Sequence, residues 1–175
     1  MDNINEKIKV LINEEKINNR IEELAMQIEQ DYQNKEIVMV CILKGAAYFA
    51  VDLSKKIKNN IIMEFMKVSS YGNAKESSGN IEFALDISES VKGKDIIIVE
   101  DIIDTGNTLN YLTEYLKKKE PNSIKICVLL DKKSRRKVDV PVDYVGFEIE
   151  DKFVLGYGLD YEGGYRNIPY IGYLE

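Results

Sequence analysis

Lys94-Asp95-Ile96-Ile97-Ile98-Val99-Glu100-Asp101-Ile102-Ile103-Asp104-Thr105-Gly106-Asn107-Thr108-Leu109 runs from a β-branched block, through two acids, into a turn of small polar residues. Ile96 to Val99 has the composition of a strand buried on both faces, the setting of a central parallel strand. From about Asn107 to Lys119 the pattern reads as a helix, stopped by Glu120-Pro121-Asn122. A buried strand that hands over to a helix is half of a β-α-β unit. In open α/β sheets, ligands sit at the carboxyl ends of such strands, beside helix N-termini.

The flanking sequence repeats the alternation. Ile8 to Ile12 reads as a short strand. Asn13 then suits a helix N-cap, with Glu14 and Glu15 in the first turn. Ile17, Ile21, Leu24 and Ile28 fall on one helical stripe that should end near Tyr32. Glu36 to Leu43 reads as a buried strand, Ala46 to Lys58 as a helix, and Ile61 to Val68 as a second strand. Ser69 to Asn80 is polar and glycine-containing and reads as a long loop, followed by a short strand from Ile81 to Asp86. Further strands are expected at Ser123 to Leu130, Tyr144 to Ile149 and Phe153 to Tyr157. The expectation is an α/β fold with a mostly parallel sheet, in one domain spanning residues 1–175, without internal repeats.

Composition narrows the chemistry. The 175 residues carry a net charge of −6, which disfavours nucleic-acid binding, since that requires a cationic face. The longest apolar runs fall far short of the roughly 20 residues that a membrane helix needs. Met1 to Glu6 shows no basic segment followed by an apolar one, so the expected location is the cytoplasm, where Cys41 and Cys127 would be buried thiols. Histidine is absent. A general base must then be a carboxylate, Lys, Tyr or Cys, and a metal should be a hard, oxygen-ligated cation such as Mg²⁺.

Within the opening stretch, Asp104-Thr105-Gly106-Asn107-Thr108 would present backbone N–H groups and two hydroxyls at a helix start. Gly106 allows a close approach, and the ensemble suits a phosphate dianion. Glu100 and Asp101 offer oxygens for sugar hydroxyls or Mg²⁺.

This stretch resembles the phosphoribosyl pyrophosphate (PRPP) signature of the type I phosphoribosyltransferases. Other segments are similar to the hypoxanthine (guanine) phosphoribosyltransferases: Leu43-Lys44-Gly45, Ser70-Tyr71, Leu130-Asp131-Lys132, Val145-Gly146-Phe147-Glu148-Ile149, Asp151 to Tyr161, and Tyr165-Arg166. The resemblance runs from about Val10 to Tyr173 in the family's order. It implies a twisted sheet flanked by helices, with a small hood subdomain. It implies transfer of a 5-phosphoribosyl group from PRPP to a 6-oxopurine base with Mg²⁺, in a homodimer or homotetramer.

The resemblance also implies roles. Asp104 would take the proton from purine N7. Thr105, Gly106, Asn107 and Thr108 would cradle the ribose 5-phosphate. Glu100 and Asp101 would bind the ribose hydroxyls, directly or through Mg²⁺. Lys44 and Gly45, after a cis peptide, would meet the pyrophosphate, and Ser70 and Tyr71 would belong to a lid. Lys132 would donate to the 6-oxo group, Phe153 would stack on the base, and Val154 would meet the base's Watson–Crick edge through its backbone. Asp160 would hold a second Mg²⁺ and Arg166 the leaving pyrophosphate, although Gly163-Gly164 between them departs from the family's pattern. Lys133, Ser134, Arg135, Arg136 and Lys137 read as solvated or subunit-facing surface. Competing readings are a sister enzyme for xanthine, adenine or a pyrimidine, an RNA-binding regulator on the same scaffold, and a nucleotide-binding module without a reaction. The negative charge and a candidate base at Asp104 weigh against the second.

Overall fold

The computed structural model describes residues 7–69 and 82–174. The elements run β1 (Ile8–Ile12), α1 (Glu14–Asp31), β2 (Ile37–Ile42), α2 (Ala47–Lys56), β3 (Ile61–Ser69), β4 (Glu82–Leu85), β5 (Asp95–Ile103), α3 (Asn107–Lys117), β6 (Ser123–Asp131), β7 (Tyr144–Glu148), β8 (Val154–Leu155) and β9 (Ile171–Leu174). A short 3₁₀ turn, Lys133–Arg135, follows β6.

The main sheet has six strands in the order β4-β3-β2-β5-β6-β7. All of its pairings are parallel except β3 with β4. Strand alternation decides what covers each face. Met39, Cys41, Ile97, Val99, Cys127 and Leu129 point to the side packed by α1 and α2. Val38, Val40, Ile42, Ile96, Ile98, Ile126 and Val128 point to the side packed by α3. With both faces covered, β2 is buried at every position, which is why it reads as an unbroken apolar run. The stripe Ile17, Ile21, Leu24 and Ile28 is the buried face of α1. Each such side chain taken fully out of water contributes about 1.5–3 kcal/mol. The Asn13 side chain accepts from the Lys16 backbone N–H at 2.9 Å and caps α1.

A second sheet, β1-β9-β8, is three-stranded and antiparallel. It corresponds to the expected hood, and β9 is an element that the sequence pattern did not reveal. Two boundaries also differ. β5 continues through the acids to Ile103, because its pairing with β6 persists to Ile103 opposite Asp131. The strand expected at Phe153 to Tyr157 is only Val154–Leu155, since Gly156, Tyr157 and Gly158 all take positive φ and turn the chain. No helix among the described residues is long and apolar enough to cross a membrane.

The strand order creates a particular place. From β2 the chain moves to β3 on one side, and β5 returns to the other side of β2. The segments leaving β2 and β5 therefore diverge to opposite faces, and a crevice opens between their carboxyl ends. This is the switch point at which open α/β sheets bind ligands.

Candidate active site

Glu100, Asp101, Asp104, Thr105, Gly106 and Thr108 line a cavity of ≈180 Å³ at the end of β5. Larger clefts exist, but those beside Asn122 and beside Asn60 lie at the other ends of the strands and gather none of the expected residues. Gly106 is the N-cap of α3, with φ 87°, and no side chain caps that helix. The Asn107 N–H makes only a long contact to Thr105 Oγ1, at 3.4 Å, so this helix start is open to a ligand, and a left-handed residue there favours glycine. A Cβ on Gly106 would also lie 2.8 Å from the Val138 carbonyl oxygen. The turn is tied down from the other side, because the Lys137 and Val138 N–H groups donate to the Thr105 carbonyl at 2.9 and 3.0 Å.

Glu100 and Asp101 sit side by side at the crevice. Burial, followed by the neighbouring Asp101 charge, pushes the Glu100 carboxyl well above its usual range. Burial also raises Asp101, while the Arg166 charge pulls it back. Among the described residues neither carboxylate has an ion-pair partner. Two crowded carboxyls in a buried corner, one of them pushed toward its neutral form, make a place that a bound cation would relieve. The described residues contain no cluster of three or more metal-ligating side chains. The donor set at this corner, two adjacent carboxyls, is of the kind that holds Mg²⁺, which is usually bound by one or two carboxylates and completed by waters and substrate phosphates.

Lys44 and Gly45 follow β2 directly, and the Leu43–Lys44 peptide is cis. A Cβ on Gly45 would overlap the Asp101 carboxylate, and one on Gly158 would overlap the Gly45 carbonyl. Three distant segments thus meet at Gly45, and the absence of a side chain lets them. Arg166 donates to the Gly158 carbonyl at 2.5 Å and pairs with Asp160 at 2.6 Å. Gly163-Gly164 does not loosen this arrangement. Tyr161 and Gly164 exchange backbone hydrogen bonds, with φ 49° at Glu162 and 82° at Gly163. This is a tight two-residue turn that uses positive φ at both central positions.

Lys132 follows β6, and its N–H donates to the Ile103 carbonyl at 3.0 Å, which places it beside the Asp104 turn. Its ammonium is mostly buried and pairs with Asp151 Oδ1 at 3.4 Å. Arg135 Nε donates to Asp104 Oδ1 at 3.1 Å, and its NH1 lies 3.5 Å from Asp151 Oδ2. Arg136 pairs with the buried Asp131. The expectation of a solvated basic run is wrong for Arg136, which the buried Asp131 draws in; Arg135 stays exposed as expected, but acids from β5 and from the segment before β8 reach its guanidinium. Neither Arg135 nor Asp151 was singled out by the sequence, although Asp151 opens a segment that carries the resemblance.

Phe153 is 58 % exposed and meets Tyr161 edge-on at 5.8 Å, while Val154 is buried in β8. Ser70 and Tyr71, the expected lid residues, lie outside the described residues. The thiols do not compete as bases. Burial pushes Cys41 up to about 12 and Cys127 higher still.

Comparison with known proteins adds an independent line. The phosphoribosyl transferase domain family matches residues 10–162. The hypoxanthine-guanine phosphoribosyltransferase of Bacillus subtilis is 50 % identical over 167 residues, covering 95 % of this chain and 93 % of that one. The protein of the same name from Staphylococcus aureus is 48 % identical over the same shares. Among solved structures, a Staphylococcus aureus hypoxanthine phosphoribosyltransferase superposes with a TM-score of 0.93 at 46 % identity, covering 100 % of this chain and 97 % of that one. A Bacillus anthracis hypoxanthine-guanine phosphoribosyltransferase gives 0.91 at 45 % identity, covering 95 % and 98 %.

Proposed function

The chain belongs to the phosphoribosyl transferase domain family, and from that premise we propose that it moves the 5-phosphoribosyl group of PRPP onto hypoxanthine or guanine. The products are IMP or GMP and pyrophosphate, the chemistry of purine salvage. The observation that carries the reading is the uncapped, glycine-led turn after β5, with a carboxylate at its entrance and a buried ammonium on the adjoining strand end.

In this reading purine N9 attacks the anomeric carbon of PRPP. The bond from that carbon to the pyrophosphate oxygen breaks, and its electron pair leaves with pyrophosphate. The N7 proton passes to Asp104, help usually worth ~10²–10⁴-fold. Thr105, Gly106, Asn107 and Thr108 hold the 5-phosphate through N–H groups and hydroxyls. Lys132, which has donors only, selects a carbonyl at purine C6 over an amino group. Phe153 offers an exposed aromatic face to the base, and the Val154 backbone meets its edge. Lys44, Gly45 and Arg166 receive the pyrophosphate, where a guanidinium can bind two oxygens at once. Glu100, Asp101 and Asp160 would hold Mg²⁺. When bound, Mg²⁺ neutralises charge on the leaving pyrophosphate. We further propose a single-domain, cytoplasmic enzyme that works as a homodimer or homotetramer and binds no nucleic acid.

The test is an assay of hypoxanthine, guanine, xanthine and adenine side by side, with PRPP and Mg²⁺, reading pyrophosphate release. Hypoxanthine and guanine should be turned over. Adenine as the preferred substrate would contradict the reading.

A further inference from the structure

Arg135 is the last residue of the 3₁₀ turn after β6, and its N–H donates to the Lys132 carbonyl at 3.0 Å. Its guanidinium meets two acids from different parts of the chain. Nε donates to Asp104 Oδ1 at 3.1 Å, and NH1 lies 3.5 Å from Asp151 Oδ2. The other Asp151 oxygen pairs with Lys132 Nζ at 3.4 Å. Charges of alternating sign thus run Asp104, Arg135, Asp151, Lys132. The two ends of this chain are the two groups assigned to the purine: the base for N7 and the donor for the 6-oxo group.

We propose that Arg135 is a positioning residue for Asp104, holding one carboxylate oxygen so that the other is aimed at the purine. The inference rests on the reading of Asp104 as general base. A carboxylate is an acceptor with two oxygens, so one bond from a guanidinium fixes its plane and leaves the second oxygen free. Asp151 holds Arg135 in turn and shares itself with Lys132, which keeps the two purine contacts in one register. The charged groups around Asp104 are Arg135 from the 3₁₀ turn, Asp151 behind it, Lys132 at the end of β6, Lys137 on the backbone that bonds Thr105, and Glu100 and Asp101 upstream on β5. Of these, only Arg135 is bonded to the Asp104 side chain.

Without the guanidinium, the Asp104 carboxylate is free to rotate away from the purine, so kcat for hypoxanthine falls while the KM for PRPP holds. Both side chains are about half exposed, so the loss in kcat should be about threefold, the scale of a partly exposed ion pair. Arg135→Met should show this loss with PRPP affinity unchanged, and Arg135→Lys should restore part of it. Thermal unfolding of both variants should match the parent, because Arg135 lies on a surface turn. Asp104→Asn is measured beside them. If Asp104→Asn loses turnover while Arg135→Met keeps full kcat, the positioning role is overturned and the base assignment stands. If Asp104→Asn keeps full turnover, the base assignment fails, and this inference falls with it.

Discussion

Lys132 carries one of the few charges that this fold takes out of water, being only 9 % exposed. A buried ammonium costs free energy unless it is paired, and among the described residues its one ion-pair partner is Asp151, at a distance long enough to leave donors for a ligand. A hydrogen bond to a charged group contributes about 1.5–3 kcal/mol. Lys132→Ala should therefore weaken hypoxanthine binding by about tenfold or more while PRPP binding changes little. Competition binding with each ligand measures this, and equal losses would refute the assignment. At this scale the sequence was legible where a residue's type and local setting agree. Asp104 at a strand-to-helix turn and Lys132 after a strand are such cases. Arg135 was not legible. It sits in a basic run, where charge alone signifies solvent, and its partners Asp104 and Asp151 come from outside that run. Only the fold brings them together.

The helices differ in how they begin, and the difference separates scaffold from site. α1 is capped by the Asn13 side chain, whereas α3 begins at a left-handed glycine with no side-chain cap. An uncapped helix start leaves N–H groups unsatisfied, and a phosphate completes them. Gly106→Ala should cost about 1–2 kcal/mol for the left-handed backbone alone, with crowding against the Val138 carbonyl in addition. The expected outcome is a lower melting temperature and a loss of PRPP affinity larger than the loss of hypoxanthine affinity. Calorimetric titration of both ligands checks it, and undiminished PRPP binding would show that the turn is not the phosphate site. Helix stripes and central strands were readable because one periodicity governs each. The end of β5 was not, because Glu100 and Asp101 look like loop residues until β6 pairs alongside them. β9 was missed because Ile171-Gly172-Tyr173-Leu174 is short, contains glycine, and becomes a strand only by pairing with β1 and β8.

At the scale of the whole molecule, strand order makes the site. The crevice exists because the chain leaves β2 and β5 toward opposite faces, so Lys44-Gly45 and the turn after β5 open beside each other. The segment carrying Asp160 and Arg166 closes in from the hood side, with Gly158 packed on Gly45. The alternation of strands and helices made the parallel sheet legible, and the resemblance supplied the hood, but the meeting of three loops at one glycine is a product of tertiary structure. In the proposed reaction, a carboxylate-led turn at this crossing grips a sugar phosphate and delivers the purine to its carboxylate. A crystal structure of the chain with bound IMP tests it most directly. The 5-phosphate should lie on the N–H groups of residues 105–108, with the 6-oxygen at Lys132. IMP bound elsewhere, with that turn unfilled, would contradict the account.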